Sequence, residues 1–524
     1  MYARTKKFTN KDGSTRIYVQ IVVNKRHGDK VRQKVIANLG RLKDLQQKPL
    51  EQLIGSLARY SVHQWTRFTP EKLKTKRAGE WGPALIFGSL WKKLGLEKIL
   101  EQVMSDTQAT SDYALATFAM VLNRLSDPQS KRGVNKWVEK IYHPGMPSLQ
   151  LHHYYRALDY LAKHKNEIEE RLFDTVRTLF NLDLDLVFWD TTSTYFEGNG
   201  PEIAQLGHSK DHRPDRKQLV VGVLMTRDGF PVAHEVFPGN MADIKTFRHC
   251  IKQVQQRFNL GRVILVADRG MVSKDLLEEI TSAGLSYIVG MKMRSVRTLR
   301  EVLSRGGRYQ EVSENLQVKQ VYHEDNRYVV CFNPQQARRD EQSRQQMVDK
   351  LKERLKKGSG SLIGNRGYRR YVKVSGSAIQ LDEKRIAEQS RYDGKYVLRT
   401  NTRLSSSEVA GAYKSLWQIE RAFRELKTGL NLRPIHLWTE QRVRGHIMMC
   451  FLALVVESAL CRKLKEVNSP CCYNDVIEDL KELRAVEIDL DGERYLSRTE
   501  MPGHAYEAFK ALKLRPPKHI QQIE

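Results

Sequence analysis

Three acidic residues each interrupt an apolar pattern at a point where a carboxylate could do chemistry. Leu184, Leu186 and Phe188 alternate with Asp185, Val187 and Trp189 in strand fashion, and Asp190 continues the apolar parity at the strand's end. Residues 262–267 (RVILVA) read as a strand buried on both faces, and Asp268 follows directly. Residues 405–427 read as one helix opened by a capping box, Ser405 with Glu408. Val409, Tyr413, Leu416, Phe423 and Lys427 share a buried-looking stripe along it, and Glu420 lies in the middle of that stripe. A buried carboxylate is costly unless it is paired or binds a metal. Singly, each acid has an ordinary reading: a turn or cap residue for the aspartates, a salt bridge to Arg424 or Lys427 for Glu420. Jointly they are oxygen donors without His or Cys partners, a set that suits Mg²⁺ or Mn²⁺. Two such ions about 3.5–4 Å apart can clamp an in-line phosphoryl displacement.

The elements that must position these acids follow from pattern. Residues 218–225 and 230–236 read as strands joined by the turn Thr226-Arg227-Asp228-Gly229. A helix is expected over 243–258, a second over 273–280, and a strand over 285–290. The order is β-β-β-α-β-α-β. Placing the first strand beside the fourth brings Asp190 and Asp268 together, and sites in such sheets form beyond strand ends. Residues 291–392 interrupt the pattern with strands at 317–322, 328–332 and 371–375, a basic helix over 335–357 and a flexible break at 358–360. They read as an inserted, mainly β, subdomain. Residues 392–401 return a strand that leads into the Glu420 helix. Trp189 and Trp417 read as core residues rather than base-stacking groups.

The remaining chain sets the partner. The net charge of +27 implies a polyanion, nucleic acid first among them. The expected organisation is a β-hairpin module (1–45), a helical, DNA-binding domain (46–180), a catalytic core in two parts (181–290 and 393–465) around the insertion (291–392), and a C-terminal segment (466–524). Basic segments at 67–77 and 131–140, the first with Trp65 and Phe68 nearby, suit contact with a DNA backbone. So does the loop 207–219, with Lys210, Arg213, Arg216 and Lys217. His208 and His212 stand four apart with no further ligands nearby, so zinc is not expected. The six cysteines form no C-x-x-C pair, which argues against a zinc ribbon or disulfide framework and for a reducing cytoplasm. The N-terminal residues carry no apolar stretch of a secretory leader. The longest apolar run, 447–460, is too short to span a bilayer and contains Glu457.

WDTTSTYFEG around Asp190, ILVADRGMVS around Asp268, and YDGKYVLRTNT and LRPIHLWTEQRVRGHI flanking Glu420 resemble segments of insertion-sequence transposases of the DDE class. The kind resembled has a ribonuclease-H-like core and a Tyr-Arg-Glu-Lys signature. Tyr413, Glu420 and Lys427 hold their places in that signature; Leu416 stands where the Arg is expected, with Arg421 or Arg424 as possible substitutes. The likeness runs from about 184 to about 460. It implies that Asp190, Asp268 and Glu420 are catalytic and hold Mg²⁺ or Mn²⁺, two ions in all. It also implies that Tyr413 and Lys427 hold phosphates near the scissile bond. Expected partners are double-stranded DNA, as element ends and target, and a second copy of the chain in the active complex, in a prokaryotic, nucleoid-associated setting. The expected reaction is cleavage at terminal inverted repeats and joining of the 3′ ends to target DNA. An inactive DNA-binding protein and a stand-alone metal-dependent nuclease are the alternatives.

Overall fold

The computed structural model describes residues 1–27, 30–45, 49–61, 73–105, 110–180, 186–258, 263–271, 273–294, 298–356, 371–375, 378–490 and 492–523. The beginning of the expected first strand (184–185), Arg262, the 62–72 segment with Trp65 and Phe68, and the break at 358–360 lie outside the described residues. The chain divides into two compact units, residues 1–74 with 488–494, and residues 75–487 with 495–524. The first is built on three antiparallel strands, Tyr2–Thr9, Thr15–His27 and Lys30–Arg41, in that order across a sheet. The sequence suggests a hairpin from the later two. The first strand is exposed along nearly its whole length, so it has no apolar parity to reveal it.

The second unit is organised on a nine-stranded mixed sheet. Its strands are β1 (Leu186–Tyr195), β2 (Gln218–Thr226), β3 (Pro231–Pro238), β4 (Ile264–Ala267), β5 (Ser286–Gly290), β6 (Gln310–Ser313), β7 (Leu316–His323), β8 (Asn326–Phe332) and β9 (Lys395–Thr400), in the order β6-β7-β8-β9-β5-β4-β1-β2-β3. The β3-β2-β1-β4-β5 part, with β1, β4 and β5 parallel, is the expected ribonuclease-H-like arrangement. Both faces are covered, which is why β2 and β4 read as continuous apolar runs. Val187 and Trp189 pack on one face with Phe247 and Ile251 of helix α1 (Asp243–Arg257) and Leu276 and Ile280 of helix α2 (Lys274–Ser282). Leu186 and Phe188 face the other core, which contains helix α6 (Glu440–Glu466). The insertion does not stand apart from this sheet: β6, β7 and β8 extend it, β8 pairing antiparallel with β9. It also carries a 23-residue helix, α3 (Pro334–Lys356).

The helical segment shares its core with the sheet. Helix Leu151–Lys163 crosses α6 so closely that a Cβ on Gly445 would collide with the Leu158 carbonyl. Helix Lys165–Phe180 is locked to β3 and α1 by a buried ionic cluster around Glu169. Glu169 accepts from His234 Nδ1 at 2.7 Å, Lys165 Nζ at 3.1 Å and Arg257 at 3.0 Å. The six cysteines are all unpaired, and among the described residues no helix is long and apolar enough to cross a membrane.

Burial pushes the Glu169 carboxyl up, but Lys165, His234 and Arg257 outweigh it and bring it to about 2, below its ordinary 4.5. A depressed carboxyl contributes stability above its unfolded value and loses that contribution as pH falls through the folded one. Glu169→Gln should therefore cost about 3–5 kcal/mol near neutral pH, because it removes the buried carboxylate shared by His234, Lys165 and Arg257 and leaves the two cations to Glu235 and Glu170 alone. The difference from wild type in denaturant midpoint should shrink between pH 4.5 and pH 2. A constant difference across that window would contradict this role.

Candidate active site

Register brings the two aspartates together. β1 and β4 are parallel, with Phe188 opposite Val266. Two residues further along each chain, just past the last pair, stand Asp190 and Asp268, near enough that the Asp268 charge acts on Asp190. Asp268 does follow the last residue of its strand. Asp190 does not: β1 runs on through Thr191–Tyr195, paired with β2, where the sequence suggests a loop. The polar TTSTY stretch is strand because β2 pairs with it along its whole length, from Thr191 opposite Gly222 to Tyr195 opposite Gln218, with apolar Leu219, Val220 and Val221 between.

The helix of Glu420 is not continuous. Ser406–Lys414 (α4) is capped by Ser405 and Glu408 as expected, with both capping-box bonds present. The chain then tightens, Leu416 N–H donating to Tyr413 O at 3.1 Å, before Trp417–Arg424 (α5) and a π-helical turn, Glu425–Gly429. Across this break Glu420 falls off the buried stripe. It is exposed, so the cost of burial argued from the sequence does not arise. Trp417, expected in the core, is 53% exposed for the same reason. α5 packs beside β1, and Asp190, Asp268 and Glu420 line one cleft of about 1060 Å³ with Arg269, Tyr413 and Lys414.

The acids differ in their surroundings. Burial raises the Asp190 carboxyl to about 6, against the pull of Lys210 and the Thr191 N–H, and Asp268 and Asp243 add to the rise. Tyr413 donates its hydroxyl to Asp268 Oδ1 at 2.7 Å and stacks on Tyr396. Asp243, at the start of α1, accepts from Thr191 Oγ1 at 2.7 Å. Sequence reading passes over Asp243 because a first-turn Asp looks like an ordinary response to the helix dipole.

The expected phosphate contacts divide into two groups. Arg424 and Lys217 are exposed; Arg213 and Arg216 are part-exposed but paired with Asp215 and Glu197. Lys427, Tyr413 and Lys210 are engaged within the chain. Lys427 donates to Asp211 Oδ1 at 2.6 Å, Arg433 pairs with the same carboxylate, and burial lowers the lysine's pKa. Leu416, in the place of the expected Arg, lines the cleft.

The donor set fits a hard divalent cation. It is all carboxylate oxygen, and the charge on the buried Asp190 carboxylate, with Asp268 and Asp243 nearby, is one that such an ion favours. Among the described residues no three acidic, His or Cys side chains already stand close enough to hold an ion. Glu420, exposed and with no hydrogen bond or ion pair among the described residues, is the acid with room to approach.

Comparison with known families gives two matches. The family described as "Transposase DDE domain" matches residues 182–456, and the "IS1634 family transposase, N-terminal domain" matches residues 3–64. No curated protein matches the chain.

The Tyr413 bond should matter to activity through Asp268. Tyr413→Phe is expected to slow DNA cleavage by about tenfold, the worth of one well-placed hydrogen bond. Gly290→Ala places a methyl against the Tyr413 hydroxyl and should slow it at least as much, the two losses being non-additive. Wild-type rates in both variants would exclude the role.

Proposed function

The chain belongs to the insertion-sequence transposases with a DDE domain, and on that premise we propose that it binds its element's terminal inverted repeats, cleaves there and joins the freed 3′ ends to target DNA. The observation that carries this reading is the shared cleft of Asp190, Asp268 and Glu420, set by the β1–β4 register in a chain of net charge +27. In this reading Asp190 and Asp268 hold Mg²⁺ or Mn²⁺ from the sheet, and Glu420 completes the set from α5. Ions bound to such carboxylates lower the pKa of a water or hydroxyl and polarise a phosphoryl oxygen. Tyr413 fixes the Asp268 carboxylate. Arg424 and Lys217, which have no partner among the described residues, meet backbone phosphates directly, and Arg213 and Arg216 exchange Asp215 and Glu197 for phosphate. Lys427 holds a phosphate near the scissile bond once DNA competes with Asp211 for it. Two copies of the chain hold the two element ends.

Asp190→Asn, Asp268→Asn and Glu420→Gln should each lower Mg²⁺-dependent cleavage by about a thousandfold or more while leaving binding to an element-end duplex within about twofold. Cleavage by gel assay and binding by mobility shift at one stated salt concentration test this. Cleavage at wild-type rate in all three variants would remove the triad.

A further inference from the structure

From Asp190 to Thr194 β1 has lost β4 and, among the described residues, pairs only with β2, so this edge of the strand is left without a neighbouring strand until Ile435 meets Tyr195. Lys210 covers that edge. Its N–H donates to Ser193 Oγ at 2.8 Å, and its Nζ donates to Thr191 O at 2.7 Å and Thr191 Oγ1 at 2.9 Å. From there the ammonium lies 3.8 Å from Asp190 Oδ1 and 3.8 Å from Asp243 Oδ1. Thr191 links the same two carboxylates: its N–H donates to Asp190 Oδ1 and its hydroxyl to Asp243 Oδ1, each at 2.7 Å. One lysine is thus shared between an acid of the cleft and an acid outside it.

We propose that Lys210 and Asp243 are positioning residues for the cation site at Asp190, Lys210 serving as its resident counter-charge and Asp243 drawing that charge away when a divalent cation binds. The inference rests on reading Asp190 as a cation ligand. A positive charge 3.8 Å from Asp190 opposes an incoming dication, and a carboxylate on the far side of that charge offsets the opposition. The two residues therefore act on cation affinity with opposite signs. A lysine that merely caps a strand edge would not do so: its loss would lower stability and leave cation affinity equal or weaker.

The test is calorimetric titration of the full-length protein with Mn²⁺ alone, without DNA, alongside thermal melting. Lys210→Met should bind Mn²⁺ about three- to tenfold more tightly than wild type even if it melts lower, and Lys210→Arg should match wild type. Asp243→Asn should bind about three- to tenfold more weakly, and it carries the test by itself if Lys210→Met fails to fold. Asp190→Asn should lose the site. Equal or weaker binding by Lys210→Met, or unchanged binding by Asp243→Asn, with the site still lost in Asp190→Asn, overturns the inference and leaves Asp190 as a ligand. Wild-type binding by Asp190→Asn overturns both.

Discussion

The parallel pairing of β1 with β4 is the constraint on which the site depends. It is short, three residue pairs, yet it fixes which residues emerge side by side where β4 ends. A slip of one residue would turn Asp190 to the α1 face and bring Trp189 to the cleft face. The register is held by burial. Val187 and Trp189 fill one core and Leu186 and Phe188 the other, and exchanging the faces would empty both. Gly222 of β2 adds to this, because any Cβ there would collide with the Trp189 indole.

The second element is a helix broken at Ser415–Leu416. Had 405–427 remained one helix, Glu420 would lie buried on the Val409–Phe423 stripe. The tight turn at Ser415–Leu416 keeps Val409 and Phe423 buried and turns Glu420 and Trp417 outward. The π-helical turn at Glu425–Gly429 then faces Leu426 inward and Lys427 toward Asp211. Apolar packing is served on both sides of the break, and the carboxylate between them is left to the cleft.

Much of this was legible in the sequence. Apolar runs and turns gave the strand order, and the position of Asp268 after its strand followed from the run before it. The three acids could be singled out because each broke a pattern. What stayed hidden was set by tertiary partners. Thr191–Tyr195 are strand because of β2, not because of their own composition. The helix break has no Gly or Pro to announce it, and Asp243 reaches Thr191 only through the packing of α1 on β1. Lys210 and Lys427 read as free cations for phosphate, since nothing in the sequence shows that Thr191 and Asp211 take them first.

The proposed function requires this cleft to join DNA rather than only cut it. The direct measurement supplies the protein and Mg²⁺ with a pre-cut element end bearing a free 3′-hydroxyl, together with a supercoiled target plasmid. The expected result is covalent joining of that end to the plasmid, dependent on the 3′-hydroxyl and lost in Glu420→Gln. Nicking or degradation of either DNA without any joined product would contradict it.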